Sequence, residues 1–576
     1  MPRRSHGARK SSISAGALAT AVAQAAILIF AFAFTWYSGH RGLFLLDHSA
    51  VFDGAWRIVQ GQIPYRDFYM AFPPIMFWIQ AAFFKVAGLT FSSMVLSAAV
   101  VNVLATASIM RFVHLLVTGS SLPTLLAGIV TAIWFQPPFG TLWMEQVAFL
   151  FACGALQCTL EAGRLTNRFS MLLWFLAGCC MACSFLSKQN AGAFFAPVCL
   201  GVILIQNWRT GRRFLLSLAS FGTGITIVVV VFFVWLRLFS DTSMFWRHVI
   251  EVAGGIGKER VLLHLDSLAE GLFLCLLTPR SAIPPSLLGM LIGPLVLIVG
   301  VLNLDLKAGQ MRKFALCGFL LLSLPLYQNL FIVSTVNEPQ NAQPFLGLIL
   351  GLLLCVALHL HQITYSADIG SETIRIPLRL PTPAVSATAA FALLSVLTAW
   401  VIFEGVQVTR YRIVQEFGST TRFVSRVQVP GMERLYWGDP TLIPTKTGLV
   451  TIRQEDFENV ARYLQSRPGN FLVAGDATIL YGLLRKPSPQ PLLYFAPNHS
   501  HGAADIPRLD NAILRSLETH NIQTVVREQF TFMSTQPVFS VFPQTWSFLT
   551  SKFEPVHQFG IFEIWERKPE IPAQKP

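Results

Sequence analysis

Between residues 15 and 404 the chain breaks into twelve apolar stretches, each at least sixteen residues long. They lie near 15–37, 71–88, 93–117, 122–139, 145–160, 171–187, 189–206, 214–236, 286–304, 314–334, 344–361 and 384–404. A bilayer's hydrocarbon core is about 30 Å thick and takes roughly 20 residues of helix to cross. So many runs of that length are a membrane pattern; a soluble core needs none of them. Of the 576 residues, 53% are hydrophobic and only 13% charged, about half the charge of an ordinary soluble domain. The fold class expected is a polytopic α-helical membrane protein.

The distribution of Lys and Arg orients it. Arg3, Arg4, Arg9 and Lys10 precede the run at 15–37, which is too long for a signal-peptide core and reads as a first span with its N-terminus inside. Four further basic groups lie between runs: Arg164 with Arg168; Arg209, Arg212 and Arg213; Lys307, Arg312 and Lys313; Arg375 with Arg379. All four face the cytoplasm if 71–88 does not cross the membrane, and all face outward if it does. The first case obeys the positive-inside rule. Pro73, Pro74, Gln80 and Lys85 also suit an interfacial or re-entrant helix at 71–88. About eleven spans result, with a cytoplasmic N-terminus and an extracytoplasmic C-terminal region. Large outward segments are expected at 38–92 and 237–285. The net charge of +13 is then an anchoring charge, and no nucleic-acid partner is expected. All nine Cys precede residue 360, in or beside apolar stretches, and read as buried free thiols.

Residues 405–576 read as an outward α/β domain, with the membrane module ending near 404. Phe457, Val460, Ala461 and Leu464 have helical spacing within 454–466, after Thr451 and Gln454 in capping-box positions. Strands are expected at 470–474, 524–527 and 561–565, and a helix at 506–517. No phosphate loop, nucleophile elbow or metal-ligand spacing stands out there.

The first outward loop concentrates the polar chemistry. It reads LLDHSAVFDGAWRIVQGQIPYRDFYMAFPPIMFW over 45–78, with Asp47, Asp53 and Asp67. A carboxylate at the end of a span is costly unless used. The plainer readings are that Asp47 caps a helix at 48–60, that Asp53 and Arg57 are an i,i+4 surface pair, and that Asp67 belongs to a turn. Farther on, Glu145 stands in LWME, Lys188 and Gln189 in FLSKQ, and Arg247, His248, Lys258 and Arg260 in FWRHVIEVAGGIGKER. An isolated Lys188 at a membrane face reads most simply as a snorkelling residue, and Glu145 as a charge favoured at a helix N-terminus.

An Asp just outside the first span, then PYRDF, Pro-Pro and an apolar segment ending in Gly, resembles the GT-C superfamily of membrane glycosyltransferases. The likeness is to the bacterial branch similar to protein O-mannosyltransferases and lipid A aminoarabinose transferases. LWME, FLSKQ and the tail segments ARYL, VAGDATILYGL and IFEIWER add to it, so it covers most of the chain. Two departures stand out: Asp47-His48 where many relatives have Asp-Glu, and no basic residue in NEPQNAQ at 337–343. The resemblance implies transfer of a sugar from a polyprenyl-phosphate donor to a hydroxyl of a glycan, lipid or protein acceptor. Such transfer needs a base for the acceptor proton and a cation for the departing phosphate. Asp47 is then the base, in a direct displacement with inversion, and Glu145 a second carboxylate. Lys188, with Arg66 second, is the cation. Asp67 and Gln189, within the matching segments, join them as substrate-binding candidates. Arg247 and Lys258 lie in a Gly-rich segment suited to cover the donor, or to be a solvated basic stretch. No cofactor is required. Asp47, His48 and Asp53 match no standard metal site, and divalent-metal dependence stays open. The competing readings are a transporter or flippase of lipid-linked saccharides, against which the lack of repeats and of mid-membrane charge counts, and an outer sensor on an anchor, for which eleven spans are excessive.

Overall fold

The computed structural model describes residues 15–569 apart from 118–119, 137–139, 166, 209, 263–283, 303–307, 336–342, 368–382, 412–424, 438–440, 446–447, 496–504 and 531–537. Each of the eleven expected spans falls on one helix. These are α1 (Ala15–Gly39), α4 (Phe91–Leu116), α5 (Leu122–Trp134), α6 (Met144–Arg164), α7 (Arg168–Phe185), α8 (Gln189–Asn207), α9 (Gly211–Phe239), α12 (Pro284–Leu302), α13 (Ala308–Thr335), α14 (Leu346–Ala367) and α15 (Pro383–Tyr411). Among the described residues seven helices (α1, α4, α7, α8, α9, α12 and α13) are by length and composition able to cross a bilayer. The chain is a polytopic membrane protein. Its exposed large side chains include Ile29, Val231, Leu238 and Leu291, which a lipid environment accommodates without cost.

The loop after α1 forms α2 (Leu45–Val59) and α3 (Ile75–Ala87). α3 has 13 residues, about 20 Å of helix, well short of a 30 Å core. Its first amide, Ile75 N–H, donates to the Leu186 carbonyl at the end of α7 (3.3 Å), which ties it to one end of the bundle. α5 is equally short but lies within the bundle against α1, α4 and α14. Asn102 on α4, wholly buried, donates to Thr35 Oγ1 on α1 and to the Ala132 carbonyl on α5, both at 2.8 Å. Helices α7 and α9 pack backbone to backbone, because a side chain at Gly178 would meet the Phe221 carbonyl and one at Gly224 the Phe175 carbonyl, the small-residue contact of membrane helices. Among the described residues eight cysteines are free.

After α9, the described part of the Gly-rich segment that carries Arg247 and Lys258 is helical. It comprises α10 (Thr242–Phe245), a π-helical turn (Trp246–Val252) and α11 (Ala253–Leu262). Asp241 caps its start by accepting from the Ser243 and Met244 amides (2.8 and 3.1 Å).

The C-terminal part is α/β. Two short antiparallel pairs come first: β1 (Ser425–Arg426) with β2 (Tyr436–Trp437), and β3 (Thr441–Thr445) with β4 (Gly448–Ile452). Then follow α16 (Gln454–Ser466), β5 (Asn470–Ala474), α17 (Ile479–Leu483), α18 (Ile506–Thr519), β6 (Ile522–Glu528), α19 (Pro543–Lys552), β7 (Phe553–Phe559) and β8 (Phe562–Arg567). The four-stranded sheet has the order β5-β6-β8-β7, with β5 and β6 parallel (Val473 opposite Val526) and the other pairs antiparallel. The expected capping box is absent. Thr451 lies in β4, and Arg453 holds the N-cap position without a side-chain cap bond. Gln454 instead accepts from Ser425 Oγ and donates to the Arg426 carbonyl (both 2.9 Å), because strand pairing has already engaged the backbone at 451.

Glu528 ends β6 wholly buried. Burial is the largest cause holding its carboxyl protonated well above the usual carboxylate range. The Asp476 charge adds to this, and the Asp476 and Ala477 amides oppose it. The folded chain therefore binds this proton more tightly than the unfolded chain. The stability it contributes is complete below the unfolded pKa, about 4.3, and is lost as pH rises through the folded value. Glu528→Gln keeps the acceptor oxygen and removes the titration. It is expected to leave the unfolding temperature near pH 4 unchanged and raise it at pH 8, by about 2–4 °C per kcal/mol recovered. Thermal unfolding of wild type and variant across that range checks this.

Candidate active site

Helix α2 begins without a conventional cap. Its N-cap residue is Phe44, whose amide donates to His48 Nδ1 (3.0 Å). The His48 ring also meets Phe91 edge-on at 5.4 Å. His48 thus closes the helix start by reaching back, as a capping-box Glu does, which gives the Asp47-His48 departure a physical role. Asp47 is not the cap. It sits in the first turn of α2, where the helix dipole favours a carboxylate. Within residues 45–55 it alone is partly exposed; every other residue there is buried.

Asp53 and Arg57 are no surface pair. Both are fully buried, joined at 2.9 Å from Arg57 Nε to Asp53 Oδ2. Ser488 Oγ donates to the other carboxylate oxygen, and Arg57 Nη1 donates to the Gln490 carbonyl (2.6 Å). Burial pushes the Asp53 carboxyl up, against the lowering effects of Arg57 and Ser488. The i,i+4 spacing is as read, but the C-terminal part covers this face of α2.

Glu145 and Lys188 come together from 43 residues apart. Glu145 is in the first turn of α6, and Lys188 is the residue preceding α8. Lys188 Nζ lies 3.2 Å from Glu145 Oε1, 3.8 Å from Met144 Sδ and 4.4 Å from the centre of the Phe72 ring. Both side chains are largely buried, at 13% and 8% exposure. Lys188 is therefore held by protein and does not snorkel. Among the described residues, Glu145 Oε2 is buried with no hydrogen-bond partner, as are Gln189 Oε1 and the Tyr327 hydroxyl. The Gln189 amide nitrogen donates to the Ala71 carbonyl (3.2 Å) and the Val249 carbonyl (2.9 Å). It thereby pins the first loop and the π-helical turn to the start of α8. The loop carrying Asp47 and the Glu145–Lys188 pair thus share one end of the bundle.

The other candidates stand apart from that pair. Arg66 and Asp67 form an exposed fork (2.8 and 2.7 Å), and Asp67 also accepts the Ile63 amide (2.7 Å). The turn turns on Tyr65, whose φ is +67° and whose hydroxyl donates to the Phe72 carbonyl (2.5 Å). Partial burial pushes Asp67's carboxyl up, but Arg66 and the Ile63 amide outweigh it and hold it below the usual range. Arg247 in the π-helical turn pairs with Asp505 of the C-terminal part at 2.5 Å. Lys258 is exposed on α11. The segment 337–343 lies outside the described residues except for Gln343, whose side-chain oxygen accepts from Gln328 (2.8 Å). Among the described residues no three His, Cys, Asp or Glu side chains converge as a metal set. Sequence reading missed Tyr69, stacked on His248 at 5.2 Å and hydrogen-bonded by Arg508 (3.2 Å). It also missed the segment 486–491 against α2. The alternating prolines of 486–491 were the available signal.

No family model matches the chain, and no curated protein matches it. Solved structures do. The chain is similar to ArnT from Cupriavidus metallidurans bound to undecaprenyl phosphate, with a TM-score of 0.52, 14% identity, and coverage of 97% of this chain and 100% of that one. The apo state of the same protein gives 0.49 at the same identity and coverage. Arabinofuranosyltransferase AftD from Mycobacteria gives 0.43 at 14% identity, covering 97% of this chain and 40% of that one. The bound ArnT structure shows that this chain shares its fold over nearly the whole length.

Proposed function

We propose that the protein is a glycosyltransferase that moves a sugar from a polyprenyl-phosphate donor to a hydroxyl acceptor at the extracytoplasmic membrane face, with inversion. One observation carries the reading. A single end of a GT-C bundle gathers a partly exposed carboxylate in a helix first turn, Asp47, and a buried Lys188–Glu145 pair with one bare carboxylate oxygen. Asp47 takes the acceptor's proton, Lys188 stabilises the leaving phosphate, and Glu145 Oε2 receives a hydroxyl of the donor sugar or acceptor. The protein whose structure supports the fold was solved with undecaprenyl phosphate, in keeping with a polyprenyl-phosphate partner. Mass spectrometry of glycolipids and glycans in cells with and without the gene tests this. Loss of a glycosylated species with the gene supports the reading. An unchanged glycan set, with lipid-linked sugar accumulating on one leaflet, favours a flippase.

The orientation is part of the proposal, since it puts the pair outside. Cysteine replacing Arg212 is expected to be shielded from an impermeant thiol reagent in intact cells, and cysteine replacing Gln558 to be labelled, in a background without native Cys. External labelling at 212 reverses the orientation.

A further inference from the structure

The sequence from Lys486 reads KPSPQP. Pro487, Pro489 and Pro491 have no amide hydrogen, so at those positions the segment offers only acceptors. Carbonyls of the segment are taken up by side chains of α2 and its following turn and of α18. Those of Lys486, Ser488 and Gln490 accept from Trp56 Nε1 (2.9 Å), Gln62 Nε2 (3.1 Å) and Arg57 Nη1 (2.6 Å). The carbonyl of Pro489 faces away and accepts from Ser516 on α18. The Ser488 hydroxyl reaches Asp53, and the Pro491 carbonyl accepts the Tyr69 amide (2.7 Å). Apolar contacts complete the grip. Gly482 leaves room for the Phe52 ring, and Gly54 faces Phe77 and Leu493.

We infer that segment 486–491 is a strap by which the C-terminal part positions α2, so that Asp53, Arg57 and Ser488 are positioning residues for Asp47. The inference rests on the proposed role of Asp47 only for its effect on rate. Asp53 lies six residues beyond Asp47 on one continuous helix, about 9 Å along the axis. A hydrogen-bonded helix transmits a displacement at one end to the other, and a misplacement of about 1 Å can cost as much as 10²-fold in rate. The strap also fixes Tyr69, in the same loop as Phe72 over Lys188. The C-terminal part thus acts on the site without supplying a group that reacts.

The experiment uses full-length protein in nanodiscs and two variants. Ser488→Ala removes a single hydroxyl from the strap. Thr545→Ala removes an equally buried hydrogen bond to Asp510 (2.7 Å) away from α2. Hydrogen exchange of the α2 amides is expected to quicken several-fold in Ser488→Ala and not in Thr545→Ala. Turnover in Ser488→Ala is expected to fall about ten-fold with donor KM unchanged, while Thr545→Ala keeps the wild-type rate. Gln62→Ala, at the partly exposed edge of the strap, gives the same pattern more weakly and serves if Ser488→Ala misfolds. Exchange of α2 equal in Ser488→Ala, Gln62→Ala and wild type overturns the strap. Faster exchange with unchanged turnover overturns the positioning role. The exchange readout needs no substrate, so a wild-type protein inactive on every donor overturns the transferase reading and leaves the strap to be judged by exchange.

Discussion

Asp47→Asn is expected to insert and fold normally and to lower sugar transfer by about 10²–10⁴-fold, the usual cost of losing a general base. Asp47 is not the helix N-cap, a position held by Phe44, so the variant does not lose a cap bond. Asn keeps the size of Asp and removes only the charge and the basic oxygen. Asp53→Asn behaves differently. It leaves Arg57 buried without its counter-ion, and breaking such a pair costs about 3–5 kcal/mol. That variant should fail in stability, as seen by size-exclusion in detergent, before it fails in chemistry. Near-normal transfer by purified Asp47→Asn would remove Asp47 from the mechanism and leave Glu145 as the carboxylate to examine.

Lys188→Met should lower kcat/KM for the donor by about 10²–10³-fold, the scale for removing one stabiliser of developing negative charge. The variant also leaves Glu145 without its partner at 3.2 Å, so loss of fold must be separated from loss of chemistry. The exchanged double variant Glu145→Lys with Lys188→Glu does this. It restores the ion pair but moves the cation from the start of α8 to the first turn of α6. Folding is expected to recover toward wild type while transfer stays about 10²-fold down. If the exchange restores transfer along with stability, the pair is scaffolding and the phosphate is met elsewhere.

The spans were legible because bilayer thickness imposes a length on apolar runs that no other solvent does. The basic clusters single out 71–88 as the segment expected not to cross; α3 is short, with 13 residues, but so is α5, so its length alone does not set it apart. In the C-terminal part, Asn470–Ala474 and the start of α16 stood out from their patterning. The β7 strand did not, since Glu554, Val556 and Gln558 are exposed on it along with their neighbours and give no alternation. The candidate site divides in the same way. Asp47, Glu145 and Lys188 were visible singly through their positions at span ends. Their company was not, because nothing in the sequence relates α6 to α8 across 43 residues. Asp53 and Arg57 misled most. Their i,i+4 spacing is the same on a wet face as on a covered one, and what covers them begins at Lys486, more than 400 residues on.

The central claim is tested most directly by giving purified protein in nanodiscs a set of synthetic polyprenyl-phosphate sugars with a membrane extract as acceptor, and following the bond between sugar and phosphate. Wild type should break it for one donor, releasing polyprenyl phosphate as the acceptor gains the sugar in inverted configuration, and Asp47→Asn should bind that donor and leave the bond intact. A donor that crosses the bilayer with its sugar–phosphate bond unbroken in both proteins would contradict the account.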